Sequence, residues 1–301
     1  MDIVTHALMG FIPASPFMMG DHPFPAFCYT LGNVLPDLDS FSRMFGKRAF
    51  MKSHQTYTHA VFSIVALGIL AYFLFPLVGL IDPWCAPALA LGMLVHSFTD
   101  FSNTYGIALG LPFTSKRFCR EWVFFIDSVV LGSSALVAVY LGWRITHQKD
   151  FGWEVQAAYG ALLLIYWPIK VFLRHLARKK SPEQTIALIP SALWPWLFYG
   201  TARHGNAMQL FQVNLLSGKT AEEAKVALLD EPYLDALKKI PEYNAMCELS
   251  PAYHVVKTEP AGNGTRLEVR DLRTRNFKTR FGGLDLVLKN DGQVQDLVFH
   301  V

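Results

Sequence analysis

From Ala60 to Ile81 the chain runs through apolar residues without a single charge. A helix needs roughly 20 such residues to cross the hydrocarbon core of a bilayer, so this stretch commits the protein to a membrane. In that solvent every backbone N–H and C=O must be satisfied internally, which leaves helices or a closed barrel as the spanning forms. The run is continuous rather than alternating, and that favours helix. Three more runs share its character: Pro83 to Thr99, Trp122 to Trp143 with Asp127 inside it, and Val155 to Leu173 with Trp167-Pro168 near its end. Ile3 to Met19 and Phe24 to Leu35 are apolar but short, with Asp21-His22-Pro23 between them. They suit a re-entrant or interfacial hairpin that starts and finishes on one face.

The apolar character fades near residue 200. Ile186 to Tyr199 is short and carries Pro190 and Pro195, so it fits an interfacial segment with Trp194 and Trp196 at headgroup level. Beyond it, Thr220 and Glu223 in TAEE make a capping box that predicts a helix to Leu229. From Tyr253 onward the runs YHVVKT, TRLEVRDLRT, KTRFGGLDLVLK and QVQDLVFH alternate, with Asn263-Gly264 and Asp291-Gly292 as hairpin turns. The expected fold is therefore an α-helical integral membrane bundle of about four spans plus the N-terminal hairpin, over residues 1–200. A small soluble α+β domain, helical and then antiparallel β, follows over 201–301. Arg266, Arg270, Arg273, Arg275, Lys278 and Arg280 form a basic stripe there, suited to anionic lipid or to a solvated strand face.

Lys and Arg orient the spans, because cytoplasmic loops are enriched in them. Arg43, Lys47, Arg48 and Lys52 precede the first long run; Lys116, Arg117 and Arg120 follow the second. Lys170, Arg174, Arg178, Lys179 and Lys180 follow the fourth, against a weaker pair, Arg144 and Lys149, on the other side. This makes the protein a multi-pass chain with its C-terminal domain in the cytoplasm. A net charge of +3 is too small to imply nucleic acid. Cys28, Cys85, Cys119 and Cys247 are far apart and form no CxxC pair, so neither a zinc-thiolate site nor a disulfide framework is indicated. Asp2 stands where a signal peptide has basic residues, so no cleaved leader is expected.

The chemistry concentrates in the first third. Asp2 and His6, Asp37 and Asp39, His54 and His59, and His96 and Asp100 all lie at the edges of apolar runs. Ionisable groups there are costly and mark functional sites. Imidazole with carboxylate suits zinc, and also manganese or iron. His96 and Asp100 are four apart and share a helix face. Asp37 and Asp39 in LPDLD would repel each other without a cation or a proton between them. His54 and His59 in HQTYTH are five apart and straddle a helix start, with Thr56 or Thr58 near the cap. On the topology above, all eight meet at the cytoplasmic membrane surface.

These motifs in order resemble the YdjM-like family of bacterial inner-membrane proteins, to which metal-dependent hydrolysis is ascribed. The resemblance rests on Asp2, Thr5, His6, Gly32, Pro36, Asp37, Asp39, His54, Thr58, His59, His96, Asp100, Gly106, Pro112 and Phe113. It covers residues 1–130 and extends loosely to a small β-rich tail. One departure is Gln55, where the family usually has Arg. The expected function is an integral-membrane metal-dependent hydrolase acting on a phosphoester or other ester of a lipid-like substrate, with membrane lipids as partners. His6, Asp37, Asp39, His59, His96 and Asp100 would hold one or two divalent ions, zinc first among them. His54 would be ligand or general base, and Asp2 a ligand, an orienting group or a base. Asp127 would orient a ligating histidine or be a hydrogen-bonded buried Asp. The alternatives are a regulatory or structural membrane protein with a structural metal, or a metal transporter or sensor. No GxSxG, P-loop or GxGxxG motif supports a serine hydrolase or nucleotide enzyme.

The orientation is directly testable. A cysteine introduced near Gly218 should resist a membrane-impermeant thiol reagent in intact spheroplasts and react after lysis; efficient labelling before lysis would invert the topology.

Overall fold

The computed structural model describes residues 1–18, 20, 22–147, 153–274 and 280–300. The chain divides into two compact units. One comprises Met1–Met44 and Ser53–Val171, the other Phe45–Lys52 and Phe172–Val301.

The first unit is helical. Helix α1 (Ile3–Met18) and helix α2 (Pro23–Gly32) form the N-terminal hairpin, and α2 starts with Pro23, whose fixed φ suits a first helical turn. A run of 3-10 turns, Leu35–Phe45, carries the LPDLD motif. Helix α3 (Lys47–Ser53) and a 3-10 turn at Tyr57–His59 lead into α4 (Val61–Leu74). Helices α5 (Cys85–Phe101), α6 (Ser128–Thr146) and α7 (Glu154–Lys179) follow. Among the described residues three segments are long and apolar enough to cross a membrane: Val61–Val78, Ser128–Thr146 and Glu154–Lys179. The second expected span is α5, 17 residues long and shorter than those three. The third expected span starts later than its apolar run suggests. Trp122 to Asp127 is not helical, and the Asp127 carboxylate caps α6 by accepting from the Val129 and Val130 backbone N–H groups at 3.1 and 3.4 Å. The same carboxylate accepts from the Tyr166 hydroxyl at 2.8 Å and lies 3.6 Å from the Lys170 ammonium, both on α7. Lys170 is therefore a buried ion-pair partner, not a loop charge that orients the chain.

Helices α2 and α5 approach as closely as backbones can. A Cβ added at Gly32 would lie 2.2 Å from the Leu89 carbonyl oxygen, and one at Gly92 would lie 2.2 Å from the Tyr29 carbonyl oxygen. Gly10 on α1 leaves similar room, since a Cβ there would meet Asn33 Cβ at 2.7 Å. These three glycines press the hairpin against α5.

The second unit starts earlier than the expected boundary at 200/201, at Phe172, within α7. It holds two four-stranded antiparallel sheets in strictly sequential order. Strands β1 (Thr185–Pro190), β2 (Leu197–His204), β3 (Ala207–Asn214) and β4 (Lys219–Ala227) form the first. Strands β5 (Tyr253–Ala261), β6 (Gly264–Asp271), β7 (Leu284–Lys289) and β8 (Val294–Phe299) form the second. Short helices α8 (Leu234–Leu237) and α9 (Pro241–Leu249) lie between them in sequence. Two sequence expectations fail here. Ile186 to Tyr199 supplies most of β1 and the start of β2, not an interfacial segment, and Thr220 to Leu229 is largely β4, not a capped helix. In both, pairing with a neighbouring strand overrides the local signal. The hairpin at Asp291-Gly292 stands as expected, while the other turns at Gly262-Asn263, one residue before Asn263-Gly264, because Gly264 already pairs with Ala261. The basic stripe is broken up: Arg273 is buried on Asp271, and Arg270 pairs with Glu268 and Asp285. Arg275 and Lys278 lie outside the described residues. Phe50 and Met51 of α3 join the core under the second sheet, with Tyr243, Met246, Val255, Val269 and Leu284. The segment between LPDLD and HQTYTH thus belongs to the C-terminal unit.

The glycine contact yields a stability prediction. Gly92→Ala should lower the melting temperature in detergent, at a cost of about 1–3 kcal/mol for forcing a methyl into a packed contact. An unchanged melting temperature would show that the helices are not held this close.

Candidate metal centre

Three parts of the chain deliver the site, and each is held by backbone or short polar contacts. The N-terminal end of α1 brings His6, with the Asp2 carboxylate accepting from the Thr5 backbone N–H at 3.0 Å to start the helix. The C-terminal half of α5 brings His96 and Asp100 on one face, one turn apart as their spacing predicts. The LPDLD and HQTYTH segments bring Asp37, Asp39, His54 and His59. The HQTYTH segment is buttressed from behind by residues 106–118. Ala108 N–H donates to the Gln55 carbonyl at 3.0 Å, Arg117 donates to the His54 carbonyl at 3.0 Å, and Val61 N–H donates to the Leu109 carbonyl at 3.1 Å. These bonds come from the stretch that also carries Gly106, Pro112 and Phe113.

Asp37, His59, His96 and Asp100 each turn one ligand atom toward a common point, all within 4.8 Å of one another and all buried. The tautomers of the imidazoles follow from their other partners. His96 Nδ1–H must donate to the Asn33 carbonyl at 2.8 Å, which leaves Nε2 as a lone pair. Thr58 donates its hydroxyl proton to Asp39 at 2.7 Å, so its oxygen accepts from His59 Nδ1–H at 3.0 Å, and His59 Nε2 is also a lone pair. The two Nε2 atoms nevertheless face each other at 3.1 Å. Asp37 Oδ1 lies 3.6 Å from His96 Nε2, and Asp100 Oδ2 lies 3.4 Å from His59 Nε2. Four acceptors converge with no donor proton among them unless one group takes up a proton. A proton on His59 is disfavoured, because burial and the neighbouring His96 hold its imidazole well below its ordinary range. Two imidazole nitrogens and two carboxylate oxygens are a set suited to zinc and to iron or manganese.

His6 repeats the arrangement on the other side of Asp100. Thr99 donates its hydroxyl to the His96 carbonyl at 2.8 Å, so its oxygen accepts from His6 Nδ1–H at 3.3 Å. His6 Nε2 then meets Asp100 Oδ1 at 3.1 Å as a second acceptor-to-acceptor contact. The His6 ring stacks on His96 with centroids 3.7 Å apart. The α-amino group of Met1 contacts the same Asp100 oxygen. Asp100 thus turns one oxygen to His59 and His96 and the other to His6.

The remaining predicted residues separate by role. Asp39 is not in the convergent group. Its oxygens accept from His54 Nδ1–H at 2.6 Å, Gln55 N–H at 2.9 Å and the Thr58 hydroxyl, so it orients histidines from behind, as carboxylates around metal sites commonly do. His54, with its Nδ1 on Asp39, lies at the partly exposed edge of the cluster. Asp2 caps α1 and acts on Asp37 only through its charge. The partners of Asp127 are on α6 and α7, not the candidate ligands. Two contributors escaped the sequence reading. The carbonyl of Asn33 orients His96, and a backbone carbonyl has no side-chain signature. Gln55, in a left-handed conformation with φ of 59°, donates its side-chain amide to Asp100 Oδ2 at 3.1 Å while its backbone N–H holds Asp39. In sequence it appeared only as a departure from the family pattern.

The sequence profile of the YdjM inner membrane protein family matches residues 1–176, which includes every residue of this cluster. The chain belongs to the YdjM inner membrane protein family. It is also similar to the uncharacterized protein YfhP of Bacillus subtilis (strain 168), 26% identical over 128 residues that cover 38% of this chain and 38% of that protein. The chain therefore spans well under half the length of that curated relative. No solved structure matches it. Membership in the YdjM family carries the inner-membrane assignment; the buried Asp-His-His-Asp group is this chain's own geometry.

Burial raises the Asp37 carboxyl from 3.8 to about 6 in the metal-free protein. Because the folded value exceeds the unfolded one, the stability linked to this proton is complete below about pH 3.8 and is lost as pH rises through about 6. A bound cation removes that penalty from the ionised form. The rise in melting temperature on adding zinc should accordingly be larger at pH 7 than at pH 5, and an equal rise at both would take Asp37 out of the ligand set.

Proposed function

We propose that this YdjM-family protein is a metal-dependent hydrolase whose centre lies at the cytoplasmic face of the inner membrane and cleaves an ester, a phosphoester first, of a lipid-like substrate. One observation carries the proposal: two imidazole lone pairs and two carboxylate oxygens aimed at one buried point, with a third imidazole across Asp100. Asp37, His59, His96 and Asp100 would hold the first divalent ion, with zinc the best match to the donors. Asp100 and His6 would contribute to a second. When bound, a divalent cation polarises the scissile group and makes water acidic enough to react at neutral pH.

The protein's own contribution is positional. Asp39 accepts the Nδ1 proton of His54 and so keeps the opposite nitrogen ready to take a proton, the arrangement of a general base held by a carboxylate. Gln55 holds Asp100 and the Asp39 loop in one geometry, so the ligands and the base move together. The cluster sits at the ends of α1 and α5 and the start of α4, which supports a site at the membrane edge, where the reacting ester of an amphiphile would lie. Lys116 and Arg120, exposed after the LPF motif, suit an anionic headgroup there. The C-terminal domain would then be cytoplasmic as well.

A structural metal is the second reading, and burial is what favours it: His59, His96 and Asp100 have no solvent exposure and Asp37 has 6%. Structural zinc sites are closed by protein ligands, whereas catalytic ones keep a position for water. One comparison separates the two. Protein loaded with zinc is assayed on soluble phosphoesters, carboxylic esters and phospholipids, beside His54→Ala and Asp37→Ala. The hydrolase reading expects wild-type turnover, at least about a hundredfold loss in His54→Ala with metal retained, and loss of metal together with activity in Asp37→Ala. Full metal content without turnover on any substrate leaves the structural reading in place.

A further inference from the structure

The sequence keeps Cys28 and Cys85 far apart, yet the fold brings them together. Cys28 lies on α2, one helical turn before Gly32, and Cys85 opens α5, two turns before Gly92. Residues four or seven apart share a helix face. Both cysteines therefore lie on the faces that Gly32 and Gly92 press into backbone contact. Both are buried, at 2% and 0% exposure, in one cluster with Ala71, Ala86 and Leu89. The two side chains belong to the same small buried cluster, and both thiols are reduced in this structure. Disulfides form where the two backbones come within about 4.4–6.8 Å, measured between α-carbons, and the thiols face each other. The backbone contact at Gly32 and Gly92, one and two turns along the same faces, brings the two helices toward that separation.

We propose that Cys28 and Cys85 are a redox-active pair that closes to a disulfide and locks α2 against α5. In the closing step one thiol attacks an oxidant that itself carries a disulfide, forming a mixed disulfide and expelling one thiol. The second cysteine then attacks the protein-side sulfur, forming the Cys28–Cys85 bond and expelling the other thiol. The pair is oxidised by two electrons, the oxidant's S–S bond is reduced, and both protons leave on the expelled thiols. Along α5, Cys85 lies roughly 22 Å from Asp100 at 1.5 Å per residue, at the opposite end of the helix. With the ligands at the cytoplasmic face, the pair faces the extracytoplasmic side, where thiols are oxidised. The lock would act on the metal centre through a short physical route, because α2 ends at Gly32 and the next residue, Asn33, holds His96 Nδ1.

The test uses full-length protein carrying Cys119→Ser and Cys247→Ser, so that only the pair can react, with dithiodipyridine as the disulfide oxidant. Two thiopyridones should be released per chain with no adduct retained. The intact mass should fall by two hydrogens, and a Cys28–Cys85 peptide should be recovered. With Cys28→Ser added, any reaction at Cys85 should stop at a stable adduct. Adducts on both cysteines without ring closure, or no reaction at any temperature at which the protein stays folded, would overturn the pair. The effect on the metal is read separately and rests on the proposed centre: oxidised protein should lose zinc to a chelator several-fold more slowly than reduced protein. Equal rates, in protein shown to bind zinc and to close the disulfide, would remove the coupling to the site and leave the bond.

Discussion

The contact between α2 and α5 at Gly32 and Gly92 underlies the membrane unit. Side chains of ordinary size would separate two helices by about 8–10 Å between axes; glycines let them come closer, and lipid gives no hydrophobic driving force to compensate for a poor fit. With the backbones in contact, the residue after α2 reaches the middle of α5, and its carbonyl becomes the hydrogen-bond partner of His96. The same packing leaves Asn33 no slack, because Gly10 of α1 lies against its side chain. Three helices are thereby referenced to one another within the reach of a single carbonyl.

What this scaffold holds is electrostatically unstable by itself. Desolvating an ion costs several kcal/mol even after relaxation, and the whole stability of a typical fold is about 5–15 kcal/mol. Asp100 accepts from the Gln55 amide and contacts the Met1 α-amino group, but Asp37 is buried beside neutral imidazoles whose lone pairs point the same way, and a proton or a cation would stabilise it. Protonation meets this need in part at low pH, where Asp37 is neutral. Near neutral pH a divalent ion is the more effective solution, since it satisfies all four acceptors at once. Asp127 shows the contrast. It is as buried as the others, but its partners are the Tyr166 hydroxyl, the Lys170 ammonium and two backbone N–H groups, and this complete set of donors leaves no role for an ion.

Division of labour within LPDLD follows from the same reasoning. Two carboxylates two residues apart cannot share one position, and the 3-10 turn sends them in different directions. Asp37 goes to the convergent point, and Asp39 goes behind it to His54, Gln55 and Thr58. Thr58 passes the influence of Asp39 to His59 through a hydroxyl, which sets the tautomer, and the Asp39 carboxylate itself lies 3.5 Å from His59 Nδ1. The site is thus a layered one, with the outer layer drawn from the same two short motifs as the inner.

The residues alone determined the membrane character, since an uncharged run such as Ala60 to Ile81 has no other stable home. They also determined the donor types of the candidate site, His and Asp at the edges of apolar runs, and the one-turn spacing of His96 and Asp100 and the hairpin turns around Asn263 and Asp291 are local properties of the chain. Tertiary structure decided the rest. Which carboxylate of LPDLD meets the imidazoles depends on how a 3-10 turn packs, and the carbonyl of Asn33 carries no signal in its side chain. TAEE and Ile186 to Tyr199 became strands because their hydrogen-bond partners lie in other segments. Asp127 and Lys170 became partners, and Cys28 and Cys85 neighbours, for one reason: pairing between distant residues is a property of how helices pack, and no spacing along the chain encodes it.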